Sequence, residues 1–129
     1  MGLDMNMIVF TKENFLVRAT PYPEIVEIGV GGQSFSLEVW NTGSKSLSAA
    51  TLKVQYHPKG AWWASSLTGS LLTHGEGSAL ATLASGAKGV AVLDVKGIYA
   101  LQLTFTCSGD WNTSYPKDET YLHLYGIHS

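Results

Sequence analysis

Residues that could carry catalysis or hold a metal are few and scattered along this chain. The four histidines belong to no complete metal-binding motif, and the one loose pair of potential ligands is His74 with Glu76. The nucleophile motif Gly-x-Ser-x-Gly, a glycine-rich phosphate loop and the zinc motif His-Glu-x-x-His are all missing from the sequence. We therefore expect no enzyme, no metal and no cofactor.

The tryptophans are a stronger signal. Four of them in 129 residues are more than one small core is expected to bury: Trp40, Trp62, Trp63 and Trp111. Trp62 and Trp63 are adjacent, so an extended segment points them to opposite faces and leaves one of them exposed. Three roles stay open for these side chains, namely capping the ends of a β-sandwich, anchoring a protein interface, or stacking on sugar rings.

A second aromatic group lies on the polar face of the last predicted strand. Tyr121, His123 and Tyr125 alternate there with leucines that face the core. A polar face this rich in aromatic side chains predicts a cover, which is a second layer, another subunit or the N-terminal arm.

The elements that position these residues are β-strands. Polar and apolar residues alternate between turns spaced about 8–15 residues apart, and helical periodicity is missing. Phe35, Leu37 and Val39 mark one core face, and residues 99–107 mark another.

Two further patterns predict local structure. Leu52, Val54 and Tyr56 alternate with polar residues, which predicts that they share one buried face. Residues 79–83 and 90–95 predict the two strands of a hairpin, closed by a turn whose glycines suit positive φ angles.

Length and proline placement set the domain organisation. A chain of 129 residues suits one domain that buries a single core. We assign residues 1–23 to an N-terminal arm or edge strands, because Pro21 and Pro23 forbid regular hydrogen bonding. Residues 24–129 are assigned to the sandwich.

Charge and cysteine content exclude several classes of protein. The net charge is −2 and the eight basic residues are dispersed, so we expect no nucleic-acid binding. No apolar run approaches the roughly 20 residues of a membrane span, and no signal peptide is visible. Cys107 is the single cysteine, which excludes an intramolecular disulfide.

Three short motifs carry a family resemblance over about residues 33–126. They are the turn Asn41-Thr42-Gly43, the turn Leu83-Ala-Ser-Gly86-Ala, and the run Gly97-Ile-Tyr99-Ala-Leu101-Gln-Leu103. In this order they resemble the immunoglobulin-like sandwiches of bacteria and their viruses. The resemblance implies an all-β, antiparallel immunoglobulin-like β-sandwich of seven to nine strands with an extended N-terminal arm.

The spacing of Asp94, Gly97 and Tyr99 is similar to a tyrosine corner, in which the phenol hydroxyl bonds to upstream backbone. The resemblance thus gives structural roles to Asn41, Gly43, Gly97 and Tyr99.

More narrowly, the chain resembles small virion structural proteins of tailed phages that decorate or cement the capsid. This implies a non-enzymatic, homo-oligomeric virion protein that binds the lattice of the major capsid protein, or another virion protein, and stabilises it. The expected interface residues are Trp40, Trp62, Trp63, Trp111, Tyr121, His123 and Tyr125. The alternative is a carbohydrate-binding or receptor-contacting module, in which Trp62, Trp63 and Trp111 stack on sugars.

Overall fold

The computed structural model describes residues 8–18, 23–29, 31–65, 71–72, 80–107 and 119–128. In these ranges the chain forms nine β-strands and one 3-10 helical turn, Leu80–Thr82. None of the helical structure in these ranges has the length and apolar character needed to cross a bilayer. The strands are β1 (Ile8–Arg18), β2 (Glu24–Glu27), β3 (Ser34–Asn41), β4 (Ala49–Gln55), β5 (Trp62–Ser65), β6 (Leu71–Leu72), β7 (Lys88–Asp94), β8 (Ala100–Thr106) and β9 (Glu119–His128).

The strands form two antiparallel sheets, ordered β1-β9-β3-β7-β6 and β2-β8-β4-β5. Four of the strand pairs nest inside one another, as the two arms of one long hairpin do. From the ends of the hairpin inward they are β1 with β9, β2 with β8, β3 with β7 and β4 with β5. Successive pairs belong alternately to the two sheets, so the long hairpin is rolled up into a sandwich. That is the connectivity of a jelly roll, with β6 added at one edge.

The predicted antiparallel sandwich of seven to nine strands is confirmed. Strands β3 to β8 also have the neighbours found in an immunoglobulin domain, where B-E-D and F-C-C′ lie side by side. The first and last strands of the domain differ from those of an immunoglobulin domain in their positions in the sheets. β9 lies beside β3, where an immunoglobulin domain has its first strand, and β2 lies beside β8, where it has its last.

Alternate residues of the central strands fill the space between the sheets. Burying one leucine or phenylalanine side chain contributes about 1.5–3 kcal/mol to stability, so this shared core holds the two sheets together. The predicted core faces are observed, with buried Phe35, Leu37 and Val39 on β3 and buried Leu101, Leu103, Phe105 and Cys107 on or beside β8.

The segment assigned to an arm or edge strands contributes one continuous edge strand, β1. Its register with β9 shifts between Lys12 and Phe15, and Asn14 has a φ of 55°. Such a bulge adds residues to one strand and bends it without ending the pairing. Residues 8–18 therefore lie within the sheet, while residues 1–7 fall outside the described ranges.

The hairpin predicted from residues 79–83 is wrong. Leu80–Thr82 form a helical turn, and β7 pairs with β3 and β6 instead. Leu80 and Leu83 are both buried. A spacing of three places both on one side of a 3-10 turn, whereas strand alternation places them on opposite sides.

The prediction that Tyr56 shares the buried face of Leu52 and Val54 is also wrong. The chain bends after Gln55, and Tyr56 is 59% exposed. Gln55 is buried instead, and its side-chain amide donates to the carbonyl of Gly60 at 2.9 Å. That hydrogen bond closes the loop between β4 and β5.

Candidate interaction surface

Aromatic residues from two strands come together on the outer face of the five-stranded sheet. The register pairs Trp40 of β3 with His123 of β9 and with Lys88 of β7. Because directly opposite residues share a face, these side chains form a row across three strands. Tyr125 lies two residues along β9 on the same face. We refer to Lys88, Trp40, His123 and Tyr125 as the aromatic row.

The side chains of the aromatic row are in mutual contact. The ammonium group of Lys88 lies 4.7 Å from the centre of the Trp40 ring, a cation–π distance. The Trp40 and His123 ring centres are 5.4 Å apart with the planes tilted by 39°, and those of His123 and Tyr125 are 6.0 Å apart. Each ring is therefore fixed by a neighbour before any partner binds.

The bulge in β1 brings Glu13 to the end of the aromatic row. The Tyr125 hydroxyl donates to Glu13 Oε2 at 2.9 Å and lies 3.0 Å from His123 Nδ1. The same carboxylate oxygen is 3.6 Å from that nitrogen. The hydrogen bond to Glu13 raises the pKa of Tyr125, because ionisation removes the donated proton and places two negative charges together. The hydroxyl therefore remains a donor.

Exposed apolar side chains border the aromatic row. Tyr121 is 42% exposed, Val9 is 68% exposed, and more than a third of the surface of Val92 and of Ile127 is exposed. The register places Val9, Ile127 and Val92 in one line across the sheet, through Ser36. We refer to the aromatic row with Val9, Val92, Tyr121 and Ile127 as the outer-face patch. Exposed apolar side chains grouped in this way are typical of an interaction site.

Two of the remaining predicted interface residues, Trp62 and Trp63, do not join the outer-face patch. Trp62 and Trp63 lie on β5, at the edge of the other sheet. Trp62 is half-buried and Trp63 is 59% exposed. Trp111 lies outside the described residues.

Asn41 and Gly43 organise the turn that follows β3. Asn41 is fully buried, and its amide nitrogen donates to the carbonyls of Lys45 at 2.8 Å and Leu83 at 3.0 Å. Its Oδ1 accepts the backbone N–H of Gly43 at 3.0 Å. These bonds fix the end of β3 next to Trp40, so the turn helps to position the aromatic row.

The tyrosine corner expected at Tyr99 is wrong in its partner. The hydroxyl donates to the side-chain carboxylate of Glu27 and not to upstream backbone, and this bond raises the pKa of Tyr99. The backbone of Tyr99 forms the link instead. Its carbonyl accepts the N–H of Ile28 at 2.8 Å, and its N–H donates to the carbonyl of Gln55 at 2.8 Å. Gly97, with a φ of 80°, forms the turn before it.

Sequence reasoning missed Glu13 and Lys88. Lys88 falls in the turn of the predicted hairpin, although it extends the alternation of Val90 and Val92 by one more position towards the N-terminus. That continuation is the signal that could have found it. Glu13 has no comparable signal, because its position depends on the bulge at Asn14.

The side chains of the aromatic row have the chemistry of a contact surface. Within the described ranges, no three histidine, cysteine, aspartate or glutamate side chains are grouped closely enough to hold a metal ion. The aromatic row presents partly exposed rings with a cation at one end and a carboxylate at the other. Such side chains are the usual anchors of protein interfaces.

Comparison with known proteins adds a likeness in fold. No protein-family model and no curated sequence matches the chain. The crystal structure of the SPBc2 prophage-derived protein YomS is similar with a TM-score of 0.55 at 9% identity, over 99% of this chain and 98% of that one. This likeness shows a shared fold.

Two more solved structures are similar over part of their length. The enzymatically active domain of tailspike protein 4 from bacteriophage CBA120 matches with a TM-score of 0.42 and 10% identity, over 97% of this chain and 19% of that one. A chain in the structure of infectious bursal disease virus, Gx strain, matches with a TM-score of 0.40 and 12% identity, over 95% of this chain and 31% of that one. Both are too distant to support an argument.

Proposed function

We propose that this protein is a non-enzymatic virion structural protein of a tailed phage, and specifically a decoration or cement protein that binds the assembled capsid. The observation that carries the proposal is the outer-face patch, where aromatic side chains fixed by their neighbours lie beside exposed apolar ones. The likeness in fold to a prophage-derived protein, over nearly the full length of both chains, supports the phage assignment.

The arrangement of the patch favours a rigid contact. Trp40 is held between Lys88 and His123, and the Tyr125 hydroxyl is held by Glu13, so little side-chain freedom is lost on binding. Tyrosine and tryptophan anchors of this kind dominate the energy of many protein interfaces. The proposed partners are the major capsid protein and further copies of this chain, and the proposed location is the virion.

The proposed function works by mass action. A protein that binds the assembled lattice and not its free subunits lowers the free energy of the lattice. Contacts repeated over symmetry-related sites then add through multivalency, so each single contact can be weak. This mechanism needs no catalytic group, cofactor, nucleic acid or membrane.

Cosedimentation tests the proposal. The protein is mixed with preassembled shells of the major capsid protein of the same phage, and with the same capsid protein unassembled. We expect binding to shells alone, and the double variant Tyr121→Ala/Ile127→Ala should bind at least about tenfold more weakly, since a truncated anchor commonly costs more than 1 kcal/mol. The matched control is Ile25→Ala, which removes an exposed apolar side chain from the other sheet.

Two results contradict the proposal. One is the lack of this chain among the stoichiometric proteins of purified particles. The other is equal binding of the double variant and the Ile25→Ala control to shells.

A further inference from the structure

One side of the sandwich is closed to strand pairing. Its edge strands are β1 and β2, and Lys12 of β1 lies 3.6 Å from the carboxylate of Glu24 on β2. β1 also carries the bulge at Asn14, and Pro23 precedes β2. Charges, bulges and prolines are the usual devices that prevent another strand from adding to a sheet edge.

The opposite side has an edge without these devices. β5, Trp62–Ser65, contains no charged residue and no proline, and its register with β4 is unbroken. Within the described part of the chain β5 is hydrogen-bonded to β4 alone. Such an edge presents free backbone N–H and C=O groups along its outer side, and these can pair with an extended segment.

The segment of sequence that contains β4 and β5 carries positive charge although the whole chain has a net charge of −2. No aspartate or glutamate occurs between Glu38 and Glu76, a stretch that contains Lys45, Lys53 and Lys59. This local excess of positive charge suits an acidic partner.

The register defines where that charge acts. Lys53 is opposite Ala64, so both lie on one face, and both are exposed. A strand added to β5 lies two strand spacings from β4, about 9.6 Å. Because the Ala64 side chain is a single methyl group, the Lys53 side chain can extend over it towards a carboxylate on the added strand.

The face of β5 away from Lys53 carries the more exposed of its two indoles, because Trp62 lies opposite Gln55 on the Lys53 face and is half-buried. Trp63 is opposite Val54, on the face away from Lys53, and more than half of its surface is exposed. An added strand therefore has a lysine beside one face and an indole beside the other. Since successive side chains of a strand alternate between faces, the complementary sequence alternates acidic and apolar residues.

We propose that the edge of β5 binds an extended segment of a partner protein, in which acidic and apolar residues alternate, by adding it as a fifth strand of this sheet. A second copy of β5 does not supply the complement, because Trp62–Ser65 has no acidic residue. The inference goes beyond the proposed capsid function and uses no residue of the outer-face patch.

A labelled peptide tests this inference. The probe is an eight-residue peptide that alternates glutamate and valine, with blocked ends, and the comparison peptide has lysine in place of glutamate. Fluorescence anisotropy should show binding of the acidic peptide alone. We expect Lys53→Glu to weaken the binding of the acidic peptide about fivefold, and Trp63→Ala to weaken it about tenfold. Lys96→Glu is the matched control, because it makes the same charge change at an exposed turn between β7 and β8.

Hydrogen exchange separates strand addition from simple charge attraction. Bound peptide should slow the exchange of alternate backbone amides in residues 62–65, since alternate amides of an edge strand point outward. The inference is overturned if exchange in β5 does not change, if the basic peptide binds equally well, or if the chain self-associates through β5. It is also overturned if an acidic oligosaccharide displaces the peptide and the amides of β5 exchange no more slowly, because the binding is then charge attraction alone. Lys53→Glu should leave cosedimentation with shells intact, so failure here is distinct from failure of the capsid proposal.

Discussion

The hydroxyl of Thr120 donates a hydrogen bond of 2.7 Å to Oδ1 of Asn41, and both side chains are fully buried. With this bond, the Asn41 side chain uses both of its N–H donors and both acceptor positions of its oxygen. The bond joins β9 to β3 at the end of the sandwich. One amide therefore satisfies two backbone groups of its own turn, at Gly43 and Lys45, and joins that turn to Leu83 and to Thr120, which are distant in sequence.

Asn41→Asp should destabilise the protein by about 3 kcal/mol or more at neutral pH. The substitution turns a donor into a buried carboxylate oxygen that faces the carbonyls of Lys45 and Leu83. Urea unfolding measures the loss. The difference in the free energy of unfolding between the variant and the unmodified protein should become smaller as the pH falls towards 4, because the protonated aspartic acid regains one hydrogen-bond donor. Thr42→Ala is the control, since it removes an exposed hydrogen bond beside the same turn.

Gly43→Ala should destabilise the protein more than Gly86→Ala. A Cβ on Gly43 meets the Thr120 side-chain oxygen and lies 2.8 Å from the Thr120 Cα, so β9 must shift, at a cost of about 3 kcal/mol. A Cβ on Gly86 meets nothing within 4 Å and costs about 1 kcal/mol through its positive φ. Thermal unfolding measures both. Rescue of Gly43→Ala by Thr120→Ala would contradict this explanation, because backbone is also in the way.

The central strands could be predicted from the sequence because their pattern is local. Phe35 to Val39 and Leu101 to Phe105 alternate with polar residues, and strands buried on one face show this period directly. The turn at Asn41 was equally readable, since asparagine followed by a glycine two residues later suits an Asx turn.

The neighbours of each strand were not predictable in the same way. The position of β9 beside β3 is set by packing between residues about 85 apart, for which the local pattern has no signal. The contact of Trp40 with His123 follows from that pairing. Glu13 reaches the same surface through a bulge, and the alternation of residues 8–18 does not show where an extra residue is inserted.

Glu13→Gln should lower the pKa of Tyr125 towards its ordinary value near 10. The hydrogen bond to the Glu13 carboxylate is the main cause of the raised pKa, and an amide removes the negative charge. NMR of ring-labelled tyrosine over an alkaline titration measures the change. In the matched variant, Glu27→Gln, the pKa of Tyr99 should fall while that of Tyr125 stays unchanged. An equal pKa of Tyr125 in the two variants would contradict the hydrogen bond between Tyr125 and Glu13.

His128→Gln should remove part of the loss of stability in acid. His128 is 2% exposed, and within the described part of the chain neither ring nitrogen forms a hydrogen bond of good geometry. Burial lowers its pKa below about 6.5, while the backbone of Glu27 acts in the opposite direction. As the pH falls below 6.5, the unfolded chain takes up the proton first. The free energy of unfolding should therefore decrease with falling pH until the folded pKa is reached.

Urea unfolding between pH 8 and pH 5 measures this contribution of His128. Carboxylates also affect stability in acid, so the relevant quantity is the difference between the variant and the unmodified protein. That difference should change with pH below 6.5 for His128→Gln. Parallel curves for His128→Gln and the unmodified protein would show that the buried imidazole accepts a proton in the folded state as readily as in water.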